Sequence, residues 1–303
     1  MNGKFVKMVE LINKSKGIII LAIILIAIVA IGNHNGKTPA GSDEETLREK
    51  TAWEQICEKY FPGKCEVAVV ADQDAPGAYC TGILAHEYNA PVLFTDNYEA
   101  IKDQLERLSP DKVFFATSKS RCDEVVSYVG WSGNSVLIDT DSTINAGTVI
   151  ASNLKNTPDQ VFVIPYDASK EVVAAVSPVS SKRDIPILAV SPEGFCDQDR
   201  EFILKNNIKK AWLVGEINEN ATGFLDYSGI EMELIDGTNT AEINGKATRL
   251  LLAESKSALA VDDAMQAVSV GALNISDSVL YLPEHIDATQ IEFCRGGGRY
   301  RTA

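Results

Sequence analysis

The sequence predicts an α/β protein of tandem parallel-sheet βα modules, two complete and one partial, after an N-terminal transmembrane helix. Two observations predict the modules. Short apolar runs rich in β-branched residues alternate with amphipathic segments of roughly ten to fifteen residues, as in parallel sheets that are buried on both faces. The same series of strands and helices then recurs farther along the chain. A third observation, a long apolar run near the N-terminus, predicts the membrane helix.

The transmembrane helix is predicted by an uninterrupted apolar run at 18–31, which Gly17 and Gly32 extend to 17–32. Four lysines and one glutamate precede it, so the positive-inside rule keeps the N-terminus cytoplasmic and places the rest outside the cell membrane. A cleaved secretory signal is the alternative. The anchor is favoured because no clean small-x-small cleavage site follows the run. Residues 38–40 read Thr-Pro-Ala, and the proline makes this segment a poor cleavage site.

The repeat has a measurable period. Strands are predicted at 67–71, 92–95, 113–117 and 136–139, and again at 161–165, 187–190, 211–214 and 233–236. Corresponding positions lie 94, 95, 98 and 97 residues apart. A third copy begins with strands at 258–261 and 279–282. The predicted organisation is therefore a cytoplasmic tip and signal anchor (1–32), a linker and helical neck (33–64), module 1 (65–156), module 2 (157–256) and partial module 3 (257–303).

The third copy has only two clear predicted strands, and a two-stranded parallel unit leaves a bare edge. We therefore expect residues 258–282 either to extend the sheet of module 2 or to complete the sheet of a partner in a homo-oligomer.

The charge balance limits the classes of partner. The 303 residues carry 28 Lys and Arg against 42 Asp and Glu, a net charge of −14. This excess of acid argues against nucleic acid, since binding to phosphates needs cations on at least one face. The sequence contains neither a Gly-x-Ser-x-Gly elbow nor a His-Glu-x-x-His motif, so no catalytic residues are predicted.

Cysteines and sequons predict two covalent features. Cys57 and Cys65 flank the Pro62-Gly63 turn signal, and a disulfide between them and two free thiols are equally weighted alternatives. The remaining cysteines lie in apolar segments, where buried free thiols are commoner. The sequons at Asn220 and Asn274 predict glycosylation in a host with that machinery, with chance occurrence as the alternative.

Polar residues at the predicted strand ends are the candidate ligand-binding residues, because ligands of open α/β sheets bind beyond the carboxyl ends of strands. Their carboxylates could also hold Ca²⁺, the one cofactor considered. The alternative, which we favour, is that each aspartate caps the following helix. The candidates are Asp72, Asp74, Thr95, Asp96, Asp139, Asp167 and Asp236.

Short motifs recur in the copies. Asp74-Ala75 precedes a small apolar helix and then Asn-Ala-Pro-Val-Leu at 89–93; Asp167-Ala168 precedes Asp-Ile-Pro-Ile-Leu at 184–188. The third copy has Asp263-Ala264, with Ser278 in place of the proline. Residues 295–303 carry Arg-Tyr-Arg-Thr-Ala near a glycine run. The pattern over 65–303 resembles the cell-wall-binding repeat 2 family. The family has Gly-Gly after the third strand; copy one lacks both glycines, and copy two has only one of them.

This resemblance implies a surface protein that is held to the cell envelope by three tandem copies, with an anionic wall polymer or a surface-layer protein as partner. The residues after position 32 carry a net charge of −17, so such a polymer would need a basic groove or a bridging cation. Two other functions are considered. One is a membrane-tethered solute-binding protein with two lobes, and the other is a hydrolase of envelope polymer that uses Asp74 and Asp167 as acid and base.

Overall fold

A computed structural model describes residues 48–140, 143–255, 257–275, 277–282 and 299–302 of the chain. The apolar run at 17–32 and the glycine run at 296–298 lie outside the described residues. Among the helices that are described, none is long and apolar enough to cross a membrane. The described helices and strands all belong to one compact unit, Lys50–Ala303.

The first sheet has four parallel strands in the order β2-β1-β3-β4. It confirms the parallel βα pattern read from the sequence. A 3₁₀ helix, Pro76–Thr81, runs directly into α2. The elements are α1 (Ala52–Tyr60), β1 (Val67–Ala71), α2 (Gly82–Tyr88), β2 (Val92–Phe94), α3 (Tyr98–Leu108), β3 (Lys112–Ala116), α4 (Lys119–Val129), β4 (Asn134–Ile138) and α5 (Thr143–Ser152).

The second sheet repeats the first, with four parallel strands in the order β6-β5-β7-β8. The repeat of the sequence is thus a repeat of topology. Its elements are β5 (Gln160–Pro165), α6 (Lys170–Arg183), β6 (Ile187–Val190), α7 (Asp197–Lys205), β7 (Lys210–Val214), α8 (Glu219–Tyr227), β8 (Glu231–Ile235) and α9 (Thr240–Leu251).

The third sheet is separate, which corrects the expectation that residues 258–282 extend the sheet of module 2. Its described strands are parallel in the order β10-β9-β11, the same arrangement as the first three strands of the other sheets. The third strand, at 299–302, was not predicted from the sequence. The elements are β9 (Ser257–Val261), α10 (Ala264–Gly271), β10 (Ser278–Tyr281) and β11 (Arg299–Thr302).

The helix after the first strand of each sheet packs against its two counterparts, so α2, α6 and α10 form a shared centre. Small residues allow this close packing. A Cβ atom at Gly271 of α10 would lie 2.7 Å from the Cα atom of Pro178 in α6. Most of the apolar core is one cluster that contains residues of all three sheets. The three modules therefore do not have independent cores.

The outer strands β2, β6 and β10 are each covered by a helix that precedes their own sheet in the chain. Helix α1 packs on β2, α5 on β6, and α9 on β10. In the last pair, Asn244 of α9 donates to the carbonyl of Val279 (3.4 Å) and accepts from the amide of Tyr281 (2.9 Å). The edge of β10, which the sequence predicted to be bare, is thus covered without sheet extension, since a helix side chain can satisfy edge amides.

Helix α1 lies within the predicted linker and helical neck (33–64), and it is not a spacer. Its Trp53 is 1 % exposed and belongs to the main core cluster. The indole Nε1–H of Trp53 donates to Asp96, just beyond β2, at 2.8 Å. This helix therefore covers module 1 as α5 and α9 cover modules 2 and 3.

Substitution of Gly147 by alanine tests the contact between α5 and β6. A Cβ atom there would overlap the backbone carbonyl oxygen of Ile187. We expect Gly147→Ala to lower the free energy of unfolding by about 3 kcal/mol, because backbone atoms must shift. Gly223→Ala in α8 is the matched control, since nothing lies within 4 Å of its Cβ position. It should stabilise by up to about 1 kcal/mol. Equal effects in urea unfolding would contradict the packing of α5 on β6.

Candidate functional site

Asp72, directly after β1, is the centre of a polar cluster at the carboxyl ends of the first sheet. It is 6 % exposed, and both of its carboxylate oxygens are engaged. Oδ1 accepts from Arg121 Nη1 of α4 (3.0 Å) and from the amide of Asp74 (2.9 Å), while Oδ2 accepts from Thr117 (3.1 Å). Asp72 therefore holds the loop after β1 against the start of α4.

Gln73 links this loop to the next strand and to module 2. Its Oε1 accepts from Thr95 Oγ1 at 2.6 Å, and its Nε2 donates to Asp74 Oδ2 at 3.0 Å. Its carbonyl accepts from Tyr79 (2.8 Å) and from Lys170 Nζ at the start of α6 (3.2 Å). We call Asp72, Gln73, Asp74, Thr95 and Arg121 the strand-end cluster.

The strand-end cluster presents one anion and one cation to solvent. The side chain of Asp74 is 64 % exposed, that of Arg121 is 33 % exposed, and Nη1 of Arg121 also lies 3.5 Å from Asp74. The guanidinium thus bridges the two carboxylates that were considered as a calcium pair. Among the described residues, no group of three or more His, Cys, Asp or Glu side chains converges. This geometry suits hydrogen bonding to a polar ligand.

The structure does not gather the predicted residues into one site. Asp72, Asp74 and Thr95 come together, whereas Asp96 is tied to Trp53 of α1. Three others are exposed at the ends of different strands, β4, β5 and β8: Asp139, Asp167 and Asp236. Of these, Asp236 accepts from Lys246 at 2.9 Å, and this bond lowers the pKa of its carboxyl group.

The prediction that the strand-end aspartates cap the following helices is mostly wrong. Asp263 does cap α10, accepting from the amide of Gln266 at 3.0 Å. Where an aspartate follows the preceding strand (Asp96, Asp167 and Asp236), it stops one to three residues short of the cap position. At five other described helices the cap is a neutral side chain directly before the first turn. Those caps are Asn97, Ser118, Ser169, Asn218 and Asn239.

The predicted disulfide is not formed, and Cys57 and Cys65 are free thiols. Cys57 lies on the face of α1 that packs on α3, where its Sγ is 3.5 Å from Gln104 Oε1 and 3.4 Å from Arg107 Nη2. Burial raises the pKa of Cys57 to about 12 and that of Cys65 to about 11. The Cys57 thiol is thus held against the polar side chains of α3. The other described cysteines, Cys80, Cys122 and Cys196, are also free.

Both sequon asparagines have exposed side chains. Asn220 lies at the start of α8 and Asn274 in the loop after α10. Glycosylation itself stays a prediction.

Three polar residues of these contacts were missed in the sequence: Arg121, Lys170 and Asp199. Arg121 could have been found as a cation in the first turn after β3, where strand-end ligands are expected. Asp199 of α7 carried no such signal, since it reads as an ordinary first-turn acid. In the structure Asp199 is fully buried, and its Oδ1 accepts from Thr148 of α5. Its Oδ2 has no hydrogen-bond partner among the described residues.

Comparison with known proteins identifies the fold. No family model and no curated protein matches the chain. Among solved structures, Cwp6 from Clostridium difficile superposes with a TM-score of 0.71 at 15 % identity, over 88 % of this chain and 48 % of that one. Cwp8 from Clostridium difficile gives 0.71 at 17 %, over 82 % and 47 %. The chain thus spans about half the length of these structures and shares their fold.

Removal of the Arg121 guanidinium tests the role of Asp72 in the strand-end cluster. Arg121→Met leaves a carboxylate that is 8 % exposed without its charged partner, and we expect a loss of about 2 kcal/mol in unfolding free energy. Lys119→Met is the matched control on the same helix. Its ion pair with Asp123 is more than half exposed on both sides, so we expect less than about 0.5 kcal/mol. Equal losses in urea unfolding would show that Asp72 does not depend on Arg121.

The buried Asp199 predicts a pH dependence of stability. Burial raises its pKa to about 6, against the opposing hydrogen bonds from Thr148 and Cys196. The unfolded carboxyl titrates near 4, so the cost of burying the charge is full above pH ~6 and disappears as the pH falls towards ~4. Asp199→Asn keeps a polar partner for Thr148 but carries no charge. We expect it to be more stable than the unsubstituted chain by about 2 kcal/mol at pH 7.5, and by much less at pH 4.5.

Urea unfolding at both pH values measures this difference. The comparison isolates Asp199 because all other titrating groups are shared by the two chains. A stability difference that does not change between pH 7.5 and pH 4.5 would contradict the raised pKa.

Proposed function

We propose that this chain is a non-enzymatic surface protein whose tandem modules bind the cell envelope, tethered to the cell membrane by residues 17–32. The observation that carries the proposal is the arrangement of three sheets around shared helices, which most of the chain has in common with Cwp6 and Cwp8, two cell wall proteins. The repeats also resemble a cell-wall-binding family. An envelope polymer or a surface-layer protein is the partner that these likenesses favour.

The carboxyl-end face of the sheets is the proposed contact surface. Of the candidate side chains, Asp74, Asp96, Asp139, Asp167 and Asp236 are accessible there together with the half-buried cations Arg121 and Lys170, whereas Asp72 and Thr95 are buried behind them. In a chain of net charge −14, an anionic polymer can approach only where such cations offset the acid. Calcium shared between exposed aspartates and the polymer is a second route, which metal chelation distinguishes from the first.

The sheet topology favours this function over a two-lobed solute receptor. Each described sheet is built from one continuous stretch of chain, and strand exchange between the sheets is absent from the described strands. A hydrolase that uses Asp74 and Asp167 receives no specific support, since these residues belong to different modules and Asp74 is paired with Arg121.

Sedimentation with purified envelope tests the proposal. The full chain in detergent micelles is mixed with membrane-free envelope at low and high salt, with calcium or with a chelator. We expect saturable retention that weakens at high salt. Lys170→Gln should weaken it several-fold, whereas Lys102→Gln on the exposed side of α3 should not. Absence of retention under every salt and calcium condition would overturn the proposed function.

A further inference from the structure

A groove of about 550 Å³ lies between α5 of module 1 and α7 of module 2. Its volume is in the range of small-molecule sites, which occur preferentially where two structural units meet. The C-terminal half of α5 and the chain at 153–158 form one wall, and α7 with Asn206 forms the other. Thr148 also lines the groove, and its hydroxyl is already engaged by the buried Asp199.

The lining of the groove is polar, with balanced charge. Glu201 and Lys205 are one turn apart on α7 with opposite charges, so the walls carry no net charge. The other polar groups are amides and hydroxyls, which can donate and accept at the same position. A hydroxyl-rich neutral ligand matches such walls, whereas an ion would find no unbalanced countercharge. Besides Thr148, six residues carry these amides and hydroxyls: Ser152, Asn153, Asn156, Thr157, Gln198 and Asn206. The amide groups of Asn153 and Asn206 each also donate one hydrogen bond to a backbone carbonyl one turn earlier.

The wall at 153–156 is held in place from module 1. The amides of Lys155 and Asn156 donate to the carboxylate of Glu87 at 2.6 and 2.7 Å. The Tyr88 hydroxyl donates to the carbonyl of Asn153 at 3.1 Å, and Lys155 Nζ lies 4.1 Å from the Tyr88 ring centroid. Because this wall is already ordered, the protein would lose less conformational entropy when a ligand binds.

The equivalent place in module 1 is spanned by a side chain. There Arg107 of α3 reaches the carbonyl of Phe61 beyond α1 (2.6 Å) and bonds Gln104 (2.7 Å). Module 2 has Lys205 at the position of Arg107 and Phe202 at that of Gln104, 98 residues later in each case, as for the starts of β3 and β7. Lys205 makes no side-chain bond to the described residues. Of the two related helix pairs, α1 with α3 and α5 with α7, the second therefore has the open groove.

We propose that the groove between α5 and α7 binds a neutral, hydroxyl-rich saccharide segment of the cell envelope. This inference rests on the proposed function, and it assigns part of that function to residues away from the strand-end cluster. Val149 and Leu154, which are half-buried in the lining, supply apolar surface for a sugar ring, and the amides bind its hydroxyls.

Calorimetric titration of the full chain with neutral envelope polysaccharide, separated from the anionic fraction by ion exchange, tests the proposal. We expect saturable binding that is at least tenfold weaker in Gln198→Ala/Glu201→Ala. These side chains are exposed, so the variant should keep its melting temperature. Ser152→Tyr, which fills the groove from α5, should weaken binding independently. Leu204→Ala is the control on α7, being 61 % exposed and outside the groove, and should bind normally.

The outcomes separate the two proposals. Retention on whole envelope without binding of the neutral fraction overturns the groove assignment and leaves the proposed function intact. Equal binding by the groove variants and the Leu204→Ala control also overturns it. Loss of envelope retention with normal binding of the neutral fraction would overturn the proposed function alone.

Discussion

The covering of sheet edges is the constraint on which the rest of the structure depends. A parallel sheet of three or four strands leaves amides and carbonyls unpaired along its outer strands. Here β2, β6 and β10 are each covered by a helix that comes earlier in the chain, and Asn244 shows how one side chain can satisfy such an edge. Because the covering helix of β6 belongs to module 1 and that of β10 to module 2, the modules stabilise one another.

The same dependence explains why polar groups are buried at the contacts between modules. Asp199 meets Thr148 where α5 covers module 2, and Lys170 of α6 reaches the carbonyl of Gln73 in module 1. A buried acid without full hydrogen bonding lowers stability. Polar pairs of this kind, between helices of neighbouring modules, constrain how those helices fit together.

The two proposed contact surfaces differ in their charge. The carboxyl-end face combines exposed aspartates with the cations Arg121 and Lys170, so its interactions with a polymer should depend on salt. The groove between α5 and α7 has balanced charge and amide-rich walls, so salt should affect it little. An envelope protein with both surfaces could bind charged and neutral parts of the same polymer matrix.

The sequence by itself determined every described strand except β11, together with the parallel pairing and the repeat, because two-sided burial demands continuous apolar runs and the runs recur at a nearly constant spacing. The predicted strand bounds differ from those in the structure by at most two residues. Only the tertiary structure decided that residues 258–282 belong to a third sheet and that Cys57 packs on α3. It likewise decided that a groove opens beside α7. These features depend on which side chains meet across distant segments, and local patterns of hydrophobicity carry no information about such meetings.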